Sequence, residues 1–212
     1  MKLLYKEWVL AAHPTLFIFP LFGCLTIVPA YPGTVIFMFG CLAPFVTFTF
    51  ARENNDAWYT ATLPVTKREI VLAKWLLILT VQLSQLVISI PFAILRGTLN
   101  IGNNPVGMDP TIAWYGCGLI LFAVFDVIFF PAFYKSGYKA GKSFITAFVP
   151  VILLMVAVEA CGHIPALAWM DSIAPENLLR QLPILMVGII SYAGCLYAAY
   201  RVASKRFERV DL

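Results

Sequence analysis

One stretch of the chain resembles a nucleotide-binding loop, but its spacing is wrong for that chemistry. Residues 137–143 read G-Y-K-A-G-K-S, whereas a phosphate-binding loop needs G-x-x-x-x-G-K-[ST] so that its backbone can wrap the phosphates. The first glycine is one residue too close, Ser136 stands in its place, and no buried strand precedes it. We interpret this stretch as a basic turn between two helices and expect no ATP hydrolysis by this chain.

No set of catalytic or metal-binding residues can be assembled from the remaining polar side chains. The two histidines, His13 and His163, are predicted on opposite sides of a membrane, so they cannot share a metal ion. The five cysteines lie far apart in apolar stretches without a C-x-x-C pair, as is usual for small buried side chains. We therefore predict no catalytic residue, no metal and no cofactor held by this chain.

A few polar groups do fall inside long apolar stretches. Asp126 lies midway through one stretch and Glu159 near the outer end of another, and an intramembrane carboxylate is costly enough to suggest a function. Gln82, Gln85 and Ser89 share one helical face. With Asp126 they are candidates for lining a translocation path. Hydrogen bonds between helices remain the alternative, and Glu159 has the alternative of reaching the outer headgroups.

These groups must be positioned by elements that are too apolar for a water-soluble fold. The chain has 212 residues, of which 61% are hydrophobic and 12% charged, so the bilayer is the natural solvent for its surface. A spanning helix needs about 20 mostly apolar residues. We predict an all-α integral membrane domain, residues 1–212, with six transmembrane helices. The predicted spans are 15–31, 33–50, 70–95, 111–134, 143–162 and 182–203.

The basic residues give this prediction an orientation. With six spans, thirteen of the fifteen lysines and arginines lie on the same side of the membrane as both termini, and only Arg96 and Arg180 lie on the other. Positive charge accumulates on the cytoplasmic side. We therefore expect the cell inner (cytoplasmic) membrane, with the N- and C-termini in the cytoplasm.

The N-terminal residues 1–12 are predicted to form an interfacial elbow helix that precedes the first span. The expected membrane-facing side contains Leu3, Leu4, Trp8, Ala11 and Ala12. The charged residues Lys2, Lys6 and Glu7 are expected to lie elsewhere on this helix.

The predicted cytoplasmic connection between the second and third spans contains sequence signals for local structure. A short helix fits Asp56–Thr62 and would be stopped before Pro64. Thr66 followed by Glu69 matches a capping box, in which each residue's side chain bonds the other's amide, so the third helix starts before the bilayer. This short helix is either an interfacial connector or, as we favour, a docking element for a cytoplasmic partner.

Residues 51–75, ARENNDAWYTATLPVTKREIVLAKW, resemble the permease subunits of ABC-2 type transporters. The likeness lies in Leu63–Ile70, which opens the third helix after an acidic stretch. The basic turn at residues 134–139 and the N-terminal M-K-L-L-Y-K-E-W are also similar to that family.

The resemblance implies two paired permease copies, each docking a separate cytoplasmic ATPase that holds ATP and Mg²⁺, within the lipid bilayer and without nucleic acid. By position, ATPase coupling falls to a helix between the second and third spans. The implied coupling residues are Glu53, Asn54, Asn55, Asp56, Trp58, Tyr59 and Thr62.

The resemblance implies ATP-driven transport. The short predicted outer connections leave little room for a substrate-capture domain and therefore favour export over import. Small permeases of this shape include exporters of amphipathic peptides such as phenol-soluble modulins, and of antimicrobial peptides, and other hydrophobic substrates stay open. Two other classes stay open: a membrane immunity or scaffold protein that works without an ATPase, and an intramembrane enzyme, for which the sequence offers no catalytic set.

Overall fold

A computed structural model describes residues 2–99, 101, 104–136 and 139–209 of the chain. Within these residues the chain is helical and contains no strand. The α-helices are α1 Lys2–Lys6, α2 Thr15–Leu21, α3 Val35–Glu53, α4 Asp56–Ala61, α5 Lys67–Thr98, α6 Ile112–Lys135, α7 Ala140–Gly162 and α8 Pro175–Glu208. A π-helical turn, Glu7–Ala11, extends α1, and 3₁₀ segments lie at Phe22–Ile27 and Pro165–Asp171.

Five of the predicted spans are confirmed as helices that are long and apolar enough to cross a membrane, namely α3, α5, α6, α7 and α8. The first span is shorter than predicted: its helical structure ends at Ile27 and not at Tyr31. Its seven α-helical and six 3₁₀ residues extend about 22 Å, less than the roughly 30 Å of a hydrocarbon core. It counts as a sixth span only together with Leu3–Ala11, from which it is bent by 92°. The six-span count therefore stays a prediction.

Helix α6 is the centre of the bundle. It is the most buried of the long helices and packs most extensively against α8. The two backbones touch at Gly116 and Gly188: a Cβ atom built on Gly188 would lie 2.4 Å from the Gly116 carbonyl oxygen. Glycine at both positions permits this approach, as is common where membrane helices pack. Phenylalanines of α3 and α6 fill the adjoining core.

The N-terminal helix buries a charged residue against the bundle. Glu7 and Ala11 are the buried residues of this segment, whereas Leu3, Leu4 and Trp8 are only partly buried. The sequence analysis placed Glu7 away from the membrane-facing side but did not predict its burial within the protein. The physical reason is a pair of lysine partners, described below, that only the folded chain brings to this carboxylate.

The short helix and the start of α5 form as the sequence predicts. Asn55 takes a left-handed conformation with φ 53°, which asparagine tolerates better than most residues, and this break separates α3 from α4. The Thr66 hydroxyl accepts from the Glu69 amide at 3.3 Å and the Glu69 carboxylate accepts from the Thr66 amide at 2.8 Å. The predicted capping box is confirmed.

Candidate functional site

Helix α4 lies at the end of the bundle where α3 ends, α5 begins and α8 ends, which we call the basic end. Its side chains divide into two faces. Trp58 and Tyr59 are 68% and 49% exposed, whereas Asp56 and Thr60, four residues apart on one face, are buried. An exposed tryptophan beside an exposed tyrosine is a typical feature of a protein-contact surface.

Asp56, on the buried face of α4, belongs to a group of four charged residues that come from three separate segments. Lys74 of α5 donates to Glu7 and to Asp56, at 2.8 Å in each case. Lys6 pairs with the same two carboxylates, at 3.0 Å from Glu7, and donates to the Thr60 hydroxyl at 2.7 Å. We call Lys6, Glu7, Asp56 and Lys74 the charge cluster. It carries two positive and two negative charges and ties α1, α4 and α5 together.

Burial makes these pairs structurally important. Glu7 is completely buried, and Asp56 and Lys74 nearly so. Burial by itself would raise the pKa of the Asp56 carboxyl, but Lys74 and Lys6 outweigh it and hold that pKa below its ordinary value. An ionised Asp56 therefore anchors α4 to its neighbours at neutral pH. The predicted coupling residues that remain exposed are Glu53, Asn54, Asn55, Trp58, Tyr59 and Thr62.

The four translocation-path candidates lie inside the bundle of this one chain. The Gln82 amide donates to Asp126 at 3.1 Å, and the Tyr192 hydroxyl donates to the Gln82 carbonyl oxygen at 2.7 Å, which joins α5, α6 and α8. Gln85 donates to the carbonyl oxygen of Ile36 at 2.8 Å. All four side chains are buried, and in this conformation their hydrogen bonds link helices of the same chain.

Ser89 completes that stripe and meets the hydroxyl of Tyr115 at 3.0 Å. The second carboxylate oxygen of Asp126 is buried without a hydrogen-bond partner among the described residues. A buried, unpaired polar atom in a membrane helix is costly. The side-chain oxygen of Gln85 in the same stripe is likewise buried without a partner among the described residues.

At the opposite end of the bundle, Glu159 makes three hydrogen bonds within the protein. Its carboxylate accepts from the Thr34 amide at 2.8 Å, the Thr34 hydroxyl at 2.6 Å and the Met108 amide at 2.7 Å. These contacts join α7 to the turn before α3 and to the connection before α6. The Glu159 carboxylate therefore has partners within the protein, and the alternative that it reaches the outer headgroups stays a prediction.

A second acidic group at the opposite end lies beside that contact. Asp109 pairs with Arg96 at 2.7 Å, and its amide donates to the Asp171 carboxylate at 2.6 Å. Burial is the largest cause that raises the pKa of Asp171, and together with the negative charges of Asp109 and Glu159 it brings this pKa to about 6, although the Asp109 amide and Arg96 act to lower it. Asp171 thus titrates close to physiological pH.

We expect Asp171→Asn to remove a pH dependence of stability. Because its folded pKa of about 6 lies above the ordinary value of about 3.9, folding retains a proton that the unfolded chain releases. The stabilising contribution is complete below about pH 4 and is lost as pH rises to 6. Unfolding temperatures of wild type and variant at pH 4.5 and 7.5 check this. An equal pH effect in both proteins would contradict it.

Only part of the stretch that resembles a phosphate-binding loop lies within the described residues. Gly137 and Tyr138 lie outside the described residues, so the predicted turn cannot be traced through them. Ser143 lies in the first turns of α7, where its hydroxyl donates to the Lys139 carbonyl oxygen at 3.0 Å. Among the described residues no group of three or more metal-ligating side chains is present.

Three members of the charge cluster, Lys6, Glu7 and Lys74, were not among the predicted site residues. The available signal was a charge within or beside an apolar stretch. Asp56 lies 50 residues from Lys6 and 18 from Lys74, and Glu7 lies 67 from Lys74, so spacing could not bring the cluster together.

Comparison with known proteins identifies the class. Residues 2–208 match the family model described as ABC-2 family transporter protein, and because the match covers nearly the whole chain, the chain belongs to this family. The family comprises permeases of ABC transporters, which are typically non-enzymatic membrane components and work with an ABC ATPase. No curated protein and no solved structure matches the chain.

Proposed function

We propose that the chain is the permease subunit of an ATP-driven exporter in the cytoplasmic membrane, with the basic end in the cytoplasm. A separate ATPase subunit binds ATP and Mg²⁺ and docks on α4. A second permease copy, identical or related, completes the membrane pathway. The substrates that best suit this small permease are amphipathic or antimicrobial peptides.

The observation that carries this proposal is the construction of α4. Its aromatic face, Trp58 and Tyr59, is exposed, while its other face is fixed through Asp56 to Lys6 and Lys74. A partner that moves α4 would therefore also move α5 and the N-terminal segment, because the buried charges cannot separate cheaply. Asp56 thereby acts in coupling as an anchor of the helix, and the exposed residues supply the contact.

The buried position of the polar stripe has a consequence for the pathway. Gln82, Gln85, Ser89 and Asp126 can line a path only in a state in which α5, α6 and α8 have moved apart. ATP-driven movement of α4 and α5 is the event that would separate these helices. ATP can shift the permease between two conformations only if the ATPase subunit that binds ATP also interacts differently with the two conformations. In the present state their hydrogen bonds keep the helices closed.

The proposal is tested by mild solubilisation from native membranes. The chain is expected to retain an ATPase subunit with an intact phosphate-binding loop, and ATP hydrolysis is expected only while that subunit is bound. Transport that persists in a strain lacking every candidate ATPase would contradict the proposal and favour an immunity or scaffold protein. Turnover of lipid or peptide by the chain without nucleotide would favour an enzyme.

We expect the double variant Trp58→Ala/Tyr59→Ala to weaken binding of the ATPase subunit. Loss of one aromatic hot spot costs about 2 kcal/mol or more, which corresponds to a drop in affinity of about 30-fold. The matched control is Tyr5→Ala, which removes an exposed aromatic side chain from the same end but outside α4. Equal retention of the ATPase by the double variant and wild type would exclude α4 as the docking element.

A further inference from the structure

A small hollow lies between the start of α5 and the end of α8 at the basic end. Its volume is about 90 Å³ and it is lined by Arg68, Tyr200, Arg201, Ser204 and Lys205. Three of its five lining residues are basic. None of them belongs to α4, the charge cluster or the polar stripe, so the hollow has no part in the function proposed above.

The charges of the hollow are only partly neutralised within the described residues. Arg68 pairs with Glu208 at 2.5 Å. Arg201 and Lys205 are exposed and form no ion pair among those residues. The Ser204 hydroxyl is buried there and lacks a hydrogen-bond partner in the same part of the chain. The Arg201 guanidinium also lies over the Tyr197 ring, 5.9 Å from its centroid. Two cations without a carboxylate partner and an unused hydroxyl are groups that bind phosphate oxygens.

Aromatic residues place the hollow at the level of the lipid headgroups. Trp75 donates to the Leu196 carbonyl oxygen at 2.8 Å and lies beside Tyr200, with ring centroids 6.0 Å apart. Tryptophan and tyrosine favour the boundary between the apolar core and the headgroups. Helix α8 has 34 residues and is about 50 Å long, so its last turns extend beyond the hydrocarbon.

An apolar lane leads from the hollow toward the middle of the bilayer. Ile190, Tyr197 and Arg201 lie on one face of α8, at positions i, i+7 and i+11. Ile190 and Tyr197 are 66% and 59% exposed. From Arg201 to Ile190 the helix runs about 16 Å, close to the depth of one leaflet. This lane suits the acyl chain of a lipid whose phosphate lies in the hollow.

We propose that this hollow is a specific site for an anionic phospholipid, with the phosphate bound by Arg201, Lys205 and the Ser204 hydroxyl. A free phosphate ion offers the same headgroup chemistry, but the apolar lane favours the lipid. Basic pockets between membrane helices are known to take such headgroups.

The test compares two double variants that each remove two exposed positive charges. Arg201→Gln/Lys205→Gln alters the hollow, and Lys139→Gln/Lys142→Gln alters the exposed start of α7. Unfolding temperatures of the purified chain are measured with added phosphatidylglycerol, phosphatidylcholine or inorganic phosphate. Because a ligand of the folded state raises the unfolding temperature, phosphatidylglycerol is expected to raise it in wild type and in the α7 variant.

In Arg201→Gln/Lys205→Gln that rise is expected to fall by more than half, with an unchanged unfolding temperature in phosphatidylcholine. The charge-conserving Arg201→Lys/Lys205→Arg is expected to keep most of it. Equal losses in both double variants would show unspecific charge attraction and overturn the proposal. So would an equal rise with inorganic phosphate, which would assign the hollow to a soluble anion. If Arg201→Gln/Lys205→Gln lost a bound ATPase subunit but kept the full rise in unfolding temperature with phosphatidylglycerol, these residues would instead be assigned to a protein partner.

Discussion

Lys74→Met is expected to lower the free energy of unfolding by about 3–5 kcal/mol, because it leaves two buried carboxylates with one lysine between them. Lys74 bonds both Glu7 and Asp56 at 2.8 Å, and neither carboxylate can turn to water. For a chain of this size the unfolding temperature should fall by on the order of 10 °C. Thermal unfolding in detergent, monitored by thiol labelling of the buried cysteines, measures this fall in unfolding temperature.

The charge cluster also supplies a rescue. Adding Glu7→Gln to Lys74→Met returns the cluster to one lysine and one aspartate, so the double variant is expected to be more stable than Lys74→Met alone. Lys142→Met is the control, because Lys142 is an exposed lysine at the same end and its loss should change stability by less than about 0.5 kcal/mol. If Lys74→Met were as stable as that control, the cluster would not hold α4.

Gly188→Ala is expected to destabilise the bundle by about 1–3 kcal/mol, through overpacking at the closest approach of α6 and α8. The added methyl group would lie 2.4 Å from the carbonyl oxygen and 2.9 Å from the Cα atom of Gly116. Both are backbone atoms, so no side chain can move aside and the two helices must separate. Gln82, Asp126 and Tyr192 bridge the same helices, so the strain should also loosen the polar stripe. Thermal unfolding checks the prediction.

The same helix offers a matched control for that substitution. Gly194 also lies in α8, but a Cβ atom there would meet nothing within 4 Å. Since alanine favours a helix over glycine by about 1 kcal/mol, Gly194→Ala is expected to be neutral or slightly stabilising. Similar unfolding temperatures for the two variants would mean that the contact between Gly116 and Gly188 is not tight in solution.

Local and compositional features made much of the fold predictable. Five spans follow from the length of their apolar stretches, because a helix that crosses the bilayer must satisfy its own backbone hydrogen bonds. The capping box at Thr66 and the short helix at Asp56 depend on neighbours three or four residues away, so they too could be predicted. The first span was predicted too long: its helical structure ends at Ile27, before Pro29, and Ala30 in the turn that follows has a positive φ of 60°.

The sequence by itself determined the membrane class, the family resemblance, and the position of α4 between two spans. Only the tertiary structure decided which charges meet. Glu7 is buried against Lys74 across 67 residues, Glu159 is bound by Thr34 across 125, and Gln82 reaches both Asp126 and Tyr192. The apolar side chains of a spanning helix do not show which of its faces meets another helix. The partner of each rare polar side chain therefore depends on which segments pack beside it. Those neighbours are fixed by packing between distant segments, which no local pattern specifies.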